Sequence, residues 1–438
     1  MKINNKYIQH LLNLIWIFTL LLMIFTRSFV GIRFLGFRIG ELLVGFGLFL
    51  IISFGMLSYF SKKSFSSLFP WKYFLIVILA FVITLIYSEG NPFSLYTYKS
   101  SSYLWMIGYF FIGYLTFTNL KFTNFHFYSL CITPIVIYFI NSGNYPNFII
   151  DFFKKYSDKF QFTKGSDVLI ALIFSSLILK GKFKNEFNYL TYINIISFTT
   201  LPLFLTLSRA SFFAGCLFIV SLNVSFLFII KENKKKFTIL FILSMILFIL
   251  SAIRLAAIPD IDLRSEEPVI LQVVGDSISE VADRKSTFKF LGFYACEDRI
   301  CAEDNTLDWR FDIWNDLVRD QISKNKLFLG FGFNEIFEIM KDPQAPGRLG
   351  REGLNEHVHN HLFTIVGRMG LMGFFVYLLF QYKLINQFGS NFITFLFPLF
   401  LVSMIDTTME SVQFPYLLYF LISYRKAYFN NEIGTSYK

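Results

Sequence analysis

Apolar residues come in long runs along this chain, separated by short polar stretches, near 8–26, 42–60, 71–87, 103–120, 127–141, 166–179, 189–207, 210–230, 237–258, 361–380, 391–406 and 413–424. A helix needs about 20 mostly apolar residues to cross roughly 30 Å of hydrocarbon, so the pattern predicts about twelve membrane-spanning helices. The runs at 127–141, 166–179, 391–406 and 413–424 are short, which puts the count between eleven and thirteen. The first run is too long for a signal peptide and lacks a small-residue cleavage pattern, so it reads as a retained helix. The expected fold is an all-α membrane protein.

Composition agrees. Of 438 residues, 55% are hydrophobic, 20% aromatic and only 16% charged, which is more apolar surface than a soluble domain of this length buries. Neither an internal repeat nor an inverted pair of Gly/Pro-broken helices is visible. One long hydrophilic insert interrupts the pattern and divides the chain into helices one to nine (1–258), a loop (259–360), and helices ten to twelve with a tail (361–438). A mere connection needs only a few residues, so this loop is where function is expected to sit.

Orientation follows from the basic residues of the short loops. With the N-terminus in the cytoplasm, the inside segments carry sixteen Lys and Arg against nine in the short outside loops, and the 259–360 insert falls outside. The worst violation is "DFFKKYSDKF" at 151–160, three lysines on the outer side. Much of the net charge of +10 is this orientation signal. No basic stripe with interleaved aromatics is present, and nucleic acid is not expected as a partner.

Four stretches could carry chemistry. In "LDWRFDIWNDLVRD", 307–320, Phe311, Trp314 and Val318 recur at helical spacing, Asp308 can cap the start, and Arg310 stands one turn from Trp314. Gly330 and Gly332 follow, in a pattern that suits a tight turn or a close backbone approach. "LTLSRASFF", 205–213, breaks two apolar runs at Arg209, a residue that should face an aqueous cavity, an anion or the outer interface. In "EHVHNHLFTIVGRMG", 356–370, Asn360 is a good N-cap for the tenth helix. His359 then lies at the outer boundary, where an imidazole titrates near neutrality and can accept a proton from an alcohol. At 100° per residue Gly370 would share the direction of His359, and His361 that of Arg368. Zinc held by His357, His359 and His361 is disfavoured, because helical geometry would turn His359 away from the other two. Asp260 and Asp262 form a D-x-D of low specificity. Cys131 and Cys216 fall in apolar runs and read as small hydrophobes; Cys296 and Cys301 lie in the insert and could close a small disulfide loop or remain free thiols.

The order of these fragments resembles the O-antigen ligase and polymerase superfamily. Ser208 and Arg209 lie between mid-chain spans, Arg310 and Trp314 with Gly330 and Gly332 in a long outside loop, and His359 and Asn360 before Gly370 and Gly373. The resemblance covers roughly 205–375. It implies a glycosyltransferase of the bacterial inner membrane, working on the periplasmic side without metal or other cofactor. Its donor would be a glycan linked to undecaprenyl diphosphate. The acceptor would be a lipid A–core sugar in a ligase, or another lipid-linked repeat in a polymerase. Carried over by residue, the catalytic histidine falls on His359 and the diphosphate-binding arginines on Arg209 and Arg310. Trp314 would pack near a sugar face, with Asn360, Gly330 and Gly332 lining the substrate. Many members have an acid where this chain has Arg368, which suggests an extra cation facing the cavity. A flippase for lipid-linked oligosaccharide is the competing class; a metallohydrolase is a third.

Overall fold

The computed structural model describes residues 6–60, 68–142, 146–158, 163–256, 292–296, 299–303, 305–342, 348, 357–386 and 390–436. The apolar runs of the sequence are helical over most of their described length, the eleventh ending at Ser403. Helices Lys6–Val30, Ile39–Phe60, Glu186–Leu207 and His361–Asn386, with residues Lys234–Leu255, are long and apolar enough to cross a membrane. Trp71–Tyr87, Gly165–Leu179 and Arg209–Ser225 are shorter apolar helices. Sheet among the described residues is confined to two small antiparallel hairpins, Arg33–Phe34 with Phe37–Arg38 and Phe293–Ala295 with Ile300–Ala302.

Helix Gly165–Leu179 is buried at every position, its polar Ser166, Asp167, Ser175 and Ser176 included. Helices Asn124–Asn141, Glu186–Leu207, Arg209–Ser225, Ser390–Ser403 and Gln413–Ser436 pack around it. Helix Lys234–Ala256 is apolar, yet Ile239, Ile242, Ile246, Leu250 and Ile253 point out of the protein. Large exposed aliphatics in such numbers suit a hydrocarbon solvent.

The tenth run is not one straight rod. His361 Nε2 lies 3.0 Å from the Tyr377 hydroxyl. Sixteen residues of continuous helix would separate them by about 24 Å along the axis, so the chain folds back between them. The reversal is at Gly370, whose φ of 65° and ψ of −171° only glycine adopts readily. Residues 361–369 and 371–386 are therefore two arms of a V. Tyr103 sits between them, its hydroxyl 3.4 Å from Met369 Sδ and its ring beside both His361 and Tyr377. The expectation that Gly370 and His359 share one helix direction is overturned: the helix starts at His361 and breaks at Gly370.

A broken helix leaves backbone N–H and C=O groups without partners, at a cost that apolar surroundings raise. Here the loop around Gly330 and Gly332 meets them. Phe331 N donates to Gly367 O at 2.8 Å and Gly332 N to Arg368 O at 3.0 Å, while Leu371 N donates to Leu327 O at 2.9 Å and Met372 N to Phe328 O at 3.2 Å. Both loop glycines have positive φ. A Cβ on Gly330 would stand 2.3 Å from Arg368 O, and one on Gly370 2.2 Å from Phe328 O.

Gly370→Ala and Gly330→Ala are expected to prevent recovery of monodisperse protein from detergent extracts. Gly36→Ala, at a positive φ but with no atom within 4 Å of the new methyl, should cost only about 1–2 kcal/mol of backbone strain. Size-exclusion profiles and thermal melts of the three variants check this.

Candidate active site

Helix Asn305–Ser323 forms a small second core in which Ile313 and Leu317 pack with Phe337, Met340 and Val358. That core fastens the segment before the V to the loop helix. Trp314 Nε1 donates to Val358 O at 2.6 Å, and its ring stacks on Phe363 with centroids 5.0 Å apart. One turn earlier, Trp309 places its ring 4.9 Å from the imidazole of His359. The indole beside the histidine is therefore Trp309, which sequence reasoning passed over, while Trp314 positions the backbone. Asp308 does not cap the helix, which begins at Asn305. Its carboxylate instead takes Arg299 through two hydrogen bonds, of 2.7 and 2.9 Å, and the Ala302 amide at 2.9 Å. This ties the helix to the hairpin that Cys296 and Cys301 close as a disulfide.

Asn360 is the cap: Oδ1 accepts from Leu362 N at 2.8 Å and Phe363 N at 3.2 Å. His359, just before it, has a φ of 55°, a left-handed conformation costly for a non-glycine residue. The three histidines diverge: His357 Nδ1 lies 3.0 Å from Glu410 Oε2, His359 faces Trp309, and His361 faces Tyr377.

Both signs of charge surround His359: Arg310 and Lys164 on one hand, Asp406 and Glu410 on the other. Lys164 Nζ is 3.3 Å from Asp406 Oδ1 and 3.2 Å from Thr407 Oγ1, and Ser166 Oγ donates to Asp406 Oδ2 at 3.2 Å. Arg27 and Arg310 act on the same carboxylate. Burial alone would raise the Asp406 pKa, but Lys164, Arg27 and Arg310 hold it below the ordinary carboxylate value. For His359 the balance runs the other way: burial, then Arg310 and Lys164, lower its pKa to about 3. The expectation of titration near neutrality is thus corrected, since burial and two nearby cations, Arg310 and Lys164, oppose the imidazolium more than Glu410 and Asp406 support it.

Arg310 has a buried Nε that makes no hydrogen bond among the described residues. Burial lowers its pKa and Asp406 partly restores it. Glu410, another buried acid, is raised by burial but held to about 2 by His357 and by hydrogen bonds from His357 and Thr364. Lys164, Asp406 and Glu410 were not singled out from the sequence. The available signal was two acids in the short stretch "MIDTTMESV", 404–412, between two apolar runs, because ionisable residues set among membrane helices usually have a function.

The remaining residues fall around this cluster. Ser208 Oγ accepts from Ser211 N at 3.4 Å and so begins the helix that Arg209 opens. A Cβ on Gly165 would be 2.8 Å from Ser211 and 3.2 Å from Ser208, so the Ser208–Arg209 corner abuts the residue that follows Lys164. Arg368 is buried, donating to Gly332 O at 3.1 Å, Glu335 O at 2.6 Å and the Tyr96 hydroxyl at 2.7 Å, with Phe337 4.1 Å from its guanidinium. It clasps the glycine loop with both terminal nitrogens engaged, while its buried Nε makes no hydrogen bond among the described residues. Gly330 and Gly332 belong to the same clasp. Asp260 and Asp262 lie outside the described residues.

No curated protein matches the chain. Residues 195–378 do match the family model described as O-antigen ligase, and this stretch, which holds Arg209, Arg310 and His359, bears out the resemblance to the O-antigen ligase and polymerase superfamily.

Proposed function

We propose that the protein transfers a glycan from a polyprenyl diphosphate, undecaprenyl diphosphate in a bacterial inner membrane, to a sugar hydroxyl at the periplasmic face. About twelve helices would cross the bilayer, with the N-terminus in the cytoplasm and the 259–360 insert outside. The observation that carries the reading is the half-buried Arg310, whose buried Nε lacks a partner among the described residues, acting with Lys164 on an unprotonated His359. That Nε is a donor with nothing to give to among the described residues, and a diphosphate oxygen would accept from it.

The chemistry follows. Arg310 and Arg209 hold the diphosphate oxygens, since planar guanidinium donors match phosphate geometry. The acceptor hydroxyl attacks the anomeric carbon, the carbon–oxygen bond to the diphosphate breaks, and its electron pair goes to the diphosphate, whose charge the arginines neutralise. His359 Nε2 or Nδ1 takes the hydroxyl proton. A base with a pKa of about 3 is weak in the empty site. A bound diphosphate reverses the local field, which raises that pKa and strengthens the base only when the donor is present. Asn360 and Trp314 hold the His359 backbone, Trp309 offers a ring face to a sugar, and Arg368 positions the Gly330–Gly332 loop.

Reconstituted with a lipid-linked repeat, His359→Ala is expected to lose transfer by at least about 10²-fold, the range general-base catalysis supplies, with extraction yield unchanged. Normal product formation by that variant would sink the assignment. A ladder of products identifies a polymerase, and one addition to a lipid core a ligase; flipping without a new glycosidic bond identifies a transporter.

Arg310→Gln should lower the rate by about 10²–10³-fold, and Arg310→Lys should recover only part, because an ammonium lacks the paired donors. The pH profile is the third measurement. At subsaturating donor, loss of rate from protonating His359 belongs far below pH 6.5, since its pKa lies near 3 in the empty site. At saturating donor the acid limb should move to higher pH.

A further inference from the structure

The lysines at 154 and 155, which offend the orientation rule, belong to a surface unit that the proposed reaction does not use. Helix Asn147–Tyr156 buries Ile150 and Phe153 against the first long helix and turns Phe148, Phe152 and Tyr156 outward, at the spacing of one helix face. Asp151, Lys154 and Lys155 are exposed beside them. The hairpin Arg33–Phe34 with Phe37–Arg38 is fastened to this helix. Arg33 Nε and Arg38 Nε both donate to Asp158 Oδ2, at 2.8 and 2.9 Å, and Ile32 forms a β-bridge with Ser157.

The tip of the hairpin is unusual in chemistry. Leu35 and Gly36 both have positive φ, the geometry of a tight primed turn in which Asn-Gly is strongly preferred. Leucine there is strained and gains no protein contact, being 83% exposed between exposed Phe34 and Phe37. Connectivity says what covers it. The hairpin joins Lys6–Val30 to Ile39–Phe60, two helices long and apolar enough to cross a membrane, so it must lie where they leave the bilayer. Six apolar side chains, with Arg33, Arg38, Lys154 and Lys155 outnumbering Asp151 and Asp158, match acyl chains below anionic phosphates.

We propose that the 33–38 hairpin and the 147–156 helix form one interfacial clamp that inserts into the headgroup layer and prefers anionic phospholipid. Phe34, Leu35, Phe37, Phe148, Phe152 and Tyr156 enter the acyl region, and the four basic side chains meet the phosphates. The claim stands independently of the reaction proposed above.

The test uses the full chain in a Cys131→Ala/Cys216→Ala background, spin-labelled at Leu35→Cys or Phe148→Cys, in vesicles of phosphatidylcholine with or without phosphatidylglycerol. Both labels should collide more readily with oxygen than with a water-soluble nickel complex. Native mass spectrometry should find phosphatidylglycerol retained several-fold over phosphatidylcholine, falling toward parity in Lys154→Gln/Lys155→Gln, which leaves the hairpin intact. Leu35→Asn relieves the turn and should keep the protein at least as stable while weakening lipid retention. Water-exposed labels, or an unchanged lipid preference in the double variant, would overturn the proposal.

Discussion

A helix cannot break inside a membrane protein unless something else meets its backbone. At Gly370 the chain reverses, and the four peptide groups exposed by the reversal are matched by the 327–332 loop through four backbone hydrogen bonds. That exchange needs glycine on both sides, because the two backbones approach more closely than any Cβ permits. Arg368 then locks the loop from the side, donating to two of its carbonyls' neighbourhood at Gly332 and Glu335. The V this creates sets the height and direction of its first arm, and so the position of the capped end where His359 sits.

The site at that end is organised by a buried cluster of cations and carboxylates. Arg27, Lys164 and Arg310 share Asp406, and burial together with Arg310 and Lys164 keeps His359 unprotonated. On the proposed reading this is a site prepared for a diphosphate: in the empty state the carboxylates of Asp406 and Asp167 face Lys164 and Arg27, and a diphosphate would add anionic charge beside Arg310. Glu410 ties His357 and Thr364 to the last loop, so the segment on either side of His359 is fastened at both ends. The strained φ of His359 persists because Trp314, Asn360 and Trp309 each constrain a neighbouring atom.

Much of this was legible in the residues. Run length and apolar content are local properties, and they located the long apolar helices but not the short amphipathic Asn147–Tyr156; Asn360 was recognised as a cap because capping depends on one side chain and the two or three amides after it. Ser208, Arg209, Arg310, Trp314, His359 and Gly370 could be picked out in order, and the family match covers the same stretch.

What the sequence by itself determined was therefore which segments are helical and apolar, where one helix is capped, and which family the 195–378 stretch resembles. Only the tertiary structure decided that the tenth run is a V, that Gly330 and Gly332 serve Gly370, that Arg368 faces carbonyls, and that Lys164 and Asp406 reach a histidine some two hundred and some fifty residues away along the chain. The physical reason is range. Helix formation and capping are settled within a turn or two, whereas a backbone break, a buried ion cluster and a shifted pKa depend on which distant groups are brought within a few ångströms, and no local pattern carries that information.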